Sequence, residues 1–492
     1  MVFPIITHHG ATQGVTGSCH QLHLDAQCSV LIDCGLFQGV EASTQPYPVI
    51  DFPVERLKAL VVTHVHLDHV GRIPDLLAAG YRGPILCSVP SAKLLPVVLE
   101  DAMKVSGRWS PDAIERCLRL LSVATTPLAF DEWHDIADVS LSSCRVRLQR
   151  AGHLLGSAYV EFDIQGPQLE SDCRVVFSGD LGAGSSALLR QSHSPERADI
   201  LVLESTYGDR LHAGSSTRRR RLEQVIERAL VDRGTVLIPA FSIGRTQELL
   251  FELEGILHDK ALLMPDTGAG QVASSTQLID WPQLPVILDS PLAGRLTQIY
   301  RDLGLYWNED ARQRLAQGRC PFSFRQLISI DSHQQHQQVV NYLGSTGRPA
   351  IVIAGNGMCT SGRVVNYLKA MLGDSRHEVV FTGYQARGTP GAVIQASEGA
   401  EGFVMVDLDG EMREIKAKVT TVGGYSAHAD QAGLVEFVAG IPRWAGRILL
   451  VYGGASAKQA LAVALRPRGA ERGVLARIEV PDGRSPDGVP GT

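Results

Sequence analysis

Three histidines and one aspartate, all side chains that can bind a metal ion, lie within six consecutive residues of this 492-residue chain, His64-Val65-His66-Leu67-Asp68-His69. The apolar, β-branched run from Leu57 to Thr63 predicts a buried strand that ends at this cluster. The spacing of apolar residues from Val70 to Ala79 predicts a helix after it. A purely structural role would require several unpaired polar groups at a strand end. The cluster therefore indicates a metal site.

Three further polar residues stand in similar contexts. Asp33 follows an apolar run, Asp180 ends another, and His153 lies in a glycine-containing turn. Catalytic zinc binds His nitrogens and carboxylate oxygens and keeps one position open for water. The candidate set for a metal site is therefore Asp33, His64, His66, Asp68, His69, His153 and Asp180.

In order and in strand-end context, this set resembles the five sequential motifs of the metallo-β-lactamase fold. The resemblance implies an αββα sandwich with two zinc ions, for which manganese could substitute. It assigns His64, His66 and His153 to the first ion and Asp68 and His69 to the second, with Asp180 bridging them. Asp33 would orient ligands through hydrogen bonds, with any direct metal contact left open. Two adjacent metal ions favour hydrolysis, because they can activate water and stabilise a leaving oxygen.

The length of the chain and its later strand pattern predict a second domain. The apolar runs at 235–240, 285–289 and 350–354 are each followed by a turn and a helical pattern, which predicts a parallel α/β sheet. These segments resemble the β-CASP cap, an insertion that marks nucleic-acid-processing members of the superfamily. The predicted domains are 1–208 and 396–466 for the metallo-β-lactamase sandwich, 209–395 for the inserted cap, and 467–492 for a C-terminal tail. Within the tail, residues 474–480 have the pattern of a strand, and the last residues are expected to be disordered.

The cap resemblance assigns Glu204 to motif A and His428 to motif B. A histidine near a leaving oxygen is suited to general-acid catalysis, and Glu204 would hold its other ring nitrogen. With Asp68, these are the predicted catalytic residues. The function expected is a zinc-dependent nuclease acting on single-stranded nucleic acid, with RNA favoured, through a metal-activated hydroxide.

Phosphodiester recognition requires cations and hydrogen-bond donors at turns and helix starts. The predicted substrate-binding residues are Ser242, Arg245, Arg363, Arg387 and Ser426. The run Arg218 to Arg221 is interpreted as the solvated start of a helix. The net charge of −6 argues against a general nucleic-acid coat protein, although a local basic cleft remains compatible with it.

One motif departs from the family pattern. Motif C of the RNA-processing members supplies a histidine to the second ion, and Tyr452 stands at that position here. His428 is the last histidine of the chain, so a shift of register cannot replace it. Three outcomes are open: a phenolate ligand, a weak second metal, or a mononuclear site.

Two alternative functions also remain open. One is hydrolysis of a small phosphodiester or ester, and the other is a catalytically impaired member that binds nucleic acid or protein. The nine cysteines include no C-x-x-C pair, and no apolar run is long enough to span a membrane. The first residues, MVFPIITHHG, lack a basic region followed by a long apolar core, so a signal peptide is not expected. A cytoplasmic location is expected, and the resemblance is compatible with a homodimer.

Overall fold

The computed structural model describes residues 3–44, 49–136, 143–166, 172–212, 217–263 and 280–481. The chain divides into two compact units. Unit 1 contains Met1–Leu211 and Ala427–Thr492, and unit 2 contains His212–Ser426. Nowhere in the described ranges is a helix both long enough and apolar enough to cross a membrane.

The elements follow one another in three stretches of the chain. The first stretch, in unit 1, contains β1 (Ile5–His8), β2 (His20–His23), β3 (Ser29–Ile32), α1 (Gly39–Thr44), β4 (Leu57–Val61), α2 (Leu67–Val70), α3 (Ile73–Ala78), β5 (Ile85–Ser88), α4 (Val89–Ser106), α5 (Pro111–Ala124), β6 (Thr125–Leu128), β7 (Trp133–Asp135), β8 (Ser143–Arg150), β9 (Ala158–Gln165), β10 (Cys173–Phe177) and β11 (Ile200–Glu204). Unit 2 contains α6 (Arg218–Val231), β12 (Thr235–Pro239), α7 (Arg245–Leu263), β13 (Val286–Asp289), α8 (Pro291–Asp302), α9 (Glu309–Ala316), β14 (Leu327–Ser329), α10 (His333–Thr346), β15 (Ala350–Ala354), α11 (Arg363–Met371), β16 (Glu378–Phe381), α12 (Pro390–Ala396), β17 (Met405–Leu408), β18 (Glu411–Glu414) and β19 (Lys418–Thr421). The last stretch returns to unit 1 with α13 (Gln431–Ala439), β20 (Arg447–Val451), α14 (Ala455–Glu471) and β21 (Arg477–Glu479).

Unit 1 is built on two sheets, with strand orders β1-β2-β3-β4-β5-β6 and β21-β20-β11-β10-β9-β8-β7. Alternate side chains of a strand face one side, so each sheet presents an apolar face to the other. Helix α4 packs on β5 and β6, and α13 and α14 contribute to an apolar cluster on the outer side of the second sheet. The predicted αββα sandwich is confirmed. Its central core includes Val30, Ile32, Val61, Val160, Phe162 and Val175.

Unit 2 contains a parallel sheet of order β14-β13-β15-β12-β16-β19. Strands β12, β13 and β15 are buried along their whole length, as expected for a parallel sheet covered on both faces. The predicted parallel α/β fold of the insertion is confirmed. In the structure, residues 396–426 belong to unit 2, since β19 pairs with β16.

Two local expectations differ from the structure. The predicted single helix from Val70 to Ala79 is wrong, because α2 begins earlier, at Leu67, and a separate helix α3 begins at Ile73. Pro74 lies in the first turn of α3, where its missing N–H and fixed φ are compatible with a helix start but not with a continuous helix. Asp68 and His69 consequently lie within the short helix α2.

The segment after residue 467 contains the strand expected within 474–480, together with the end of a helix that the prediction of a tail did not include. Helix α14 continues through Pro467 to Glu471, and β21 pairs in parallel with β20. The side chains of Arg447 and Glu479 form an ion pair of 2.9 Å across these two strands. The predicted disorder concerns residues 482–492, which lie outside the described residues.

A buried polar cluster stabilises the carboxyl edge of the sheet in unit 2. Asp289, at the end of β13, is fully buried. Its carboxylate accepts hydrogen bonds from His336 Nδ1 at 2.7 Å, Tyr367 Oη at 2.6 Å and Arg363 Nη1 at 2.6 Å. The carboxylate thereby joins β13 to α10 and α11.

Replacing Asp289 with alanine is expected to lower the free energy of unfolding by about 3–5 kcal/mol, because the Arg363 guanidinium and two other donors lose a buried acceptor. Urea denaturation followed by circular dichroism measures the change. The exposed Asp331 provides the matched control, since Asp331→Ala is expected to change stability by less than about 0.5 kcal/mol. An Asp289→Ala variant as stable as the wild type would contradict this account of the cluster.

Candidate metal centre

The metal-ligand candidates lie on loops at the ends of strands in unit 1. His64 and His66 follow β4, His153 lies between β8 and β9, and Asp180 follows β10. The last two loops approach each other so closely that a Cβ on Gly182 would lie 2.0 Å from the carbonyl oxygen of Gly152. Only glycine fits at position 182. The close approach of the two loops that it permits places His153 beside Asp180.

Four donor atoms of these residues converge. His66 Nδ1 lies 3.1 Å from both His64 Nε2 and His153 Nε2. Asp180 Oδ2 lies 3.5 Å from His64 Nε2 and 3.6 Å from His153 Nε2. Ligands bonded to zinc at about 2.0–2.1 Å in a tetrahedron lie roughly 3.3 Å apart. The donor set and its spacing therefore fit a zinc ion.

The protonation states also fit metal binding, which requires neutral imidazoles. Burial, together with the neighbouring histidines, lowers the pKa of His64 and of His153 well below the ordinary value. Burial lowers the pKa of His66 to about 4. At neutral pH all three rings are uncharged and can offer a lone pair.

His69 lies beside this group and is held by a second carboxylate. Its Nδ1 donates to Asp33 Oδ2 at 2.7 Å, and its Nε2 lies 3.3 Å from Asp180 Oδ1 without hydrogen-bond geometry. Burial opposes a charge on this ring, but Asp180 and Asp33 outweigh it and raise the pKa of His69. Asp33 is itself fixed by the backbone N–H and the hydroxyl of Thr63, both at 2.8 Å.

Tyr452 follows β20 and reaches the same group. Its hydroxyl donates a hydrogen bond to Asp68 Oδ2, and its ring centroid lies 5.0 Å from that of His69. Burial and the carboxylates of Asp68 and Asp180 raise the pKa of the phenol well above its ordinary value, which favours the protonated hydroxyl over a phenolate.

His428 and Glu204 form a pair on the other side of Asp180. His428 Nδ1 lies 3.2 Å from Glu204 Oε2 and 3.9 Å from Asp180 Oδ2. The backbone N–H of Leu181 fixes Glu204 by donating to Oε1 at 2.6 Å. Burial disfavours the imidazolium, but Glu204 and Asp180 raise the pKa of His428 to about 9. The side chain is 21% exposed, so solvent and ligands can reach it.

The substrate-binding candidates lie in unit 2 and differ in their surroundings. Arg363 donates to Asp289 and to the carbonyl of Ile330, which gives it a structural role at the sheet edge. Arg245 lies over the Tyr425 ring with 5.6 Å between the guanidinium carbon and the ring centroid. The remaining candidates are Ser242, whose hydroxyl lies 3.2 Å from that of Ser290, the half-exposed Ser426 and the exposed Arg387.

The run from Arg218 to Arg221 begins a helix, as predicted, but its first residue is not solvated. Helix α6 begins at Arg218 as expected, but this side chain is buried. It forms an ion pair of 2.7 Å with Glu252 and lies over the Tyr425 ring. The prediction of a solvated residue is wrong for Arg218, because its acidic partner comes from α7, distant in sequence.

Two exposed aromatic side chains were not among the predicted substrate-binding residues. Phe241 follows β12 and is 48% exposed, and Tyr384 follows the neighbouring strand β16 and is 58% exposed. Both are candidates for contact with a planar ligand. In the sequence, each of these aromatic residues follows closely after an apolar strand, which could have identified it as a candidate. The order of the strands in the sheet, which makes β12 and β16 neighbours, is not visible in the sequence.

An αββα sandwich that gathers three imidazoles and a carboxylate at its strand ends defines a metal-dependent hydrolase. Residues 22–205 match the family model of the metallo-beta-lactamase superfamily, and residues 246–394 match that of the Beta-Casp domain. Residues 412–481 match the Zn-dependent metallo-hydrolase RNA specificity domain. The chain belongs to the β-CASP family of the metallo-β-lactamase superfamily, whose members bind divalent metals.

Curated relatives cover most of the chain. Ribonuclease TTHA0252 of Thermus thermophilus is 36% identical over 468 residues, which cover 95% of this chain and 97% of the relative. Transcription termination factor FttA of Methanosarcina mazei is 32% identical over 445 residues, covering 88% of this chain and 64% of the relative. FttA of Methanocaldococcus jannaschii is 29% identical over 437 residues, with 86% and 63% covered.

Zinc binding to the four converging donors is expected to stabilise unit 1, because an ion that binds only the folded state adds free energy of unfolding. At one hundred times its dissociation constant this amounts to about 2.7 kcal/mol. Thermal unfolding with zinc and with a chelator measures the difference. His153→Ala should lose the zinc-dependent shift, whereas replacement of the exposed His193 should retain it. Equal shifts in both variants would contradict the assignment of the site.

Proposed function

We propose that this chain is a zinc-dependent nuclease that hydrolyses phosphodiester bonds of single-stranded nucleic acid, with RNA as its substrate. The observation that carries the proposal is the convergence of His64, His66, His153 and Asp180 beside the histidine–glutamate pair of His428 and Glu204. A bound zinc ion supplies a Lewis acid that activates water and withdraws charge from the scissile phosphate.

The chain's own residues divide the remaining work. Glu204 accepts the hydrogen bond from His428 Nδ1, and the pKa of about 9 keeps the ring doubly protonated at neutral pH, so Nε2 also carries a proton that it can donate. We assign the Nε2 proton to the oxygen that leaves when the P–O bond breaks. Asp68 keeps one carboxylate oxygen, Oδ1, to orient the attacking water, while Oδ2 accepts from Tyr452.

RNA as the substrate is supported by the match to the RNA specificity domain and by the ribonuclease among the relatives. Of the predicted substrate-binding residues, the exposed Arg387 is our first choice for a phosphate contact. The exposed rings of Phe241 and Tyr384 offer faces on which unpaired bases can stack.

A cytoplasmic location is part of the proposal. All nine cysteines are free thiols, as is typical of a reducing compartment.

Cleavage of end-labelled single-stranded RNA and DNA of one sequence, with added zinc or manganese, tests the proposal. The wild type is expected to cleave RNA, and Asp180→Ala and Asp68→Ala are expected to reduce cleavage to background. His193→Ala is the matched control and should cleave at the wild-type rate. RNA bound without any cleavage would contradict the nuclease assignment and favour a binding protein. Turnover of small diesters alone would favour the small-substrate hydrolase.

The role of His428 gives a separate prediction. His428→Ala is expected to slow RNA cleavage by about 10²–10⁴-fold, since a poor leaving oxygen needs a proton. Hydrolysis of bis(4-nitrophenyl) phosphate should fall far less, because nitrophenolate leaves without protonation. Initial rates of the same preparation on both substrates give the comparison. Equal losses on the two substrates would rule out the general-acid role.

A further inference from the structure

The position at which the family places a second metal ion has an unusual neighbour in this chain. The family pattern expects Asp68, His69 and Asp180 to be joined there by a histidine from the end of β20. Tyr452 stands at that point instead, and its hydroxyl donates to Asp68 Oδ2. One of the two carboxylate oxygens of Asp68 is therefore occupied by a hydrogen bond.

The remaining donors are too few for a second zinc ion. Two buried atoms, His69 Nε2 and Asp180 Oδ1, have no hydrogen-bond partner among the described residues. Catalytic zinc commonly takes three protein ligands, and the first position has four donors, whereas this one retains only the close pair of His69 Nε2 and Asp180 Oδ1. The free oxygen of Asp68, Oδ1, does not add a third donor, because it is not close enough to this pair to share an ion with it. The described groups of donors close enough to share an ion include His64, His66, His153 and Asp180 but no group with Asp68.

Tyr452 is held firmly in this place. It is 3% exposed and belongs to the central apolar core of unit 1. Its backbone N–H donates to the Ala11 carbonyl at 2.7 Å, and the next N–H, of Gly453, donates to Gly14 at 2.9 Å. Lys458 Nζ donates to the Thr12 carbonyl in the same loop. These hydrogen bonds hold the backbone at Tyr452, and the packing of its ring in the core restricts rotation of the phenol away from Asp68.

We propose that this chain is a one-metal member of its family, in which Tyr452 closes the second metal position by filling it and hydrogen-bonding Asp68. The proposal rests on the proposed function, because it takes the first metal position as given. It makes Asp68 a hydrogen-bonding residue of the site and removes it from the metal ligands.

Metal content of the full chain, after equilibration with zinc and removal of unbound ions, tests the proposal by mass spectrometry. The wild type is expected to hold about one zinc ion per chain, and Tyr452→His, which restores a nitrogen ligand, about two. Tyr452→Phe keeps the ring without adding a ligand and should hold about one. Cobalt titration followed by visible absorption should reach the same end points.

Asp68→Ala separates the two accounts without reference to activity. If the chain holds one metal ion, the Asp68→Ala variant should still hold about one, because Asp68 is not a ligand. If the wild type holds two ions, the same variant should hold fewer than the wild type, because a ligand of the second ion has been removed. Two ions in the wild type, or one ion in a folded Tyr452→His variant, would overturn the inference. A wild type without zinc would overturn the proposed metal site itself, and with it the proposed function.

Discussion

The approach of the Asp180 carboxylate to the buried imidazoles of His64 and His153 is the constraint on which the rest of unit 1 depends. Its Oδ2 lies within 3.6 Å of His64 and His153, and none of these side chains has appreciable contact with water. Burying such groups costs free energy unless a partner compensates. The strand ends of the two sheets place these side chains together inside the sandwich. A cation bound by all of them would offset the free-energy cost of burying them.

Tyr452 contributes both to the core of unit 1 and to the surroundings of Asp68. Tyr452 occupies a place in the core, completes the end of β20 and satisfies Asp68 with a neutral hydroxyl. The half-buried carboxylate of Asp68 therefore has a hydrogen-bond donor at that oxygen without a cation.

Much of the site could be predicted because its signals are local. A polar residue that ends an apolar strand is visible in the sequence and predicted His64 and Asp180, and a glycine-containing turn predicted His153. Long-range partners were not visible. Arg363 meets Asp289 across 74 residues, and Arg218 meets Glu252 across 34, so neither pairing could be read from spacing. The same holds for β21, whose place beside β20 depends on sheet pairing rather than on its own three residues.

The central claim is that the four converging donors hold a zinc ion. Anomalous scattering at the zinc absorption edge, from crystals of the full chain grown with zinc, tests it most directly. The account predicts a single strong peak bonded to His64, His66, His153 and Asp180. Zinc bound elsewhere, with these side chains unchanged and unliganded, would contradict it.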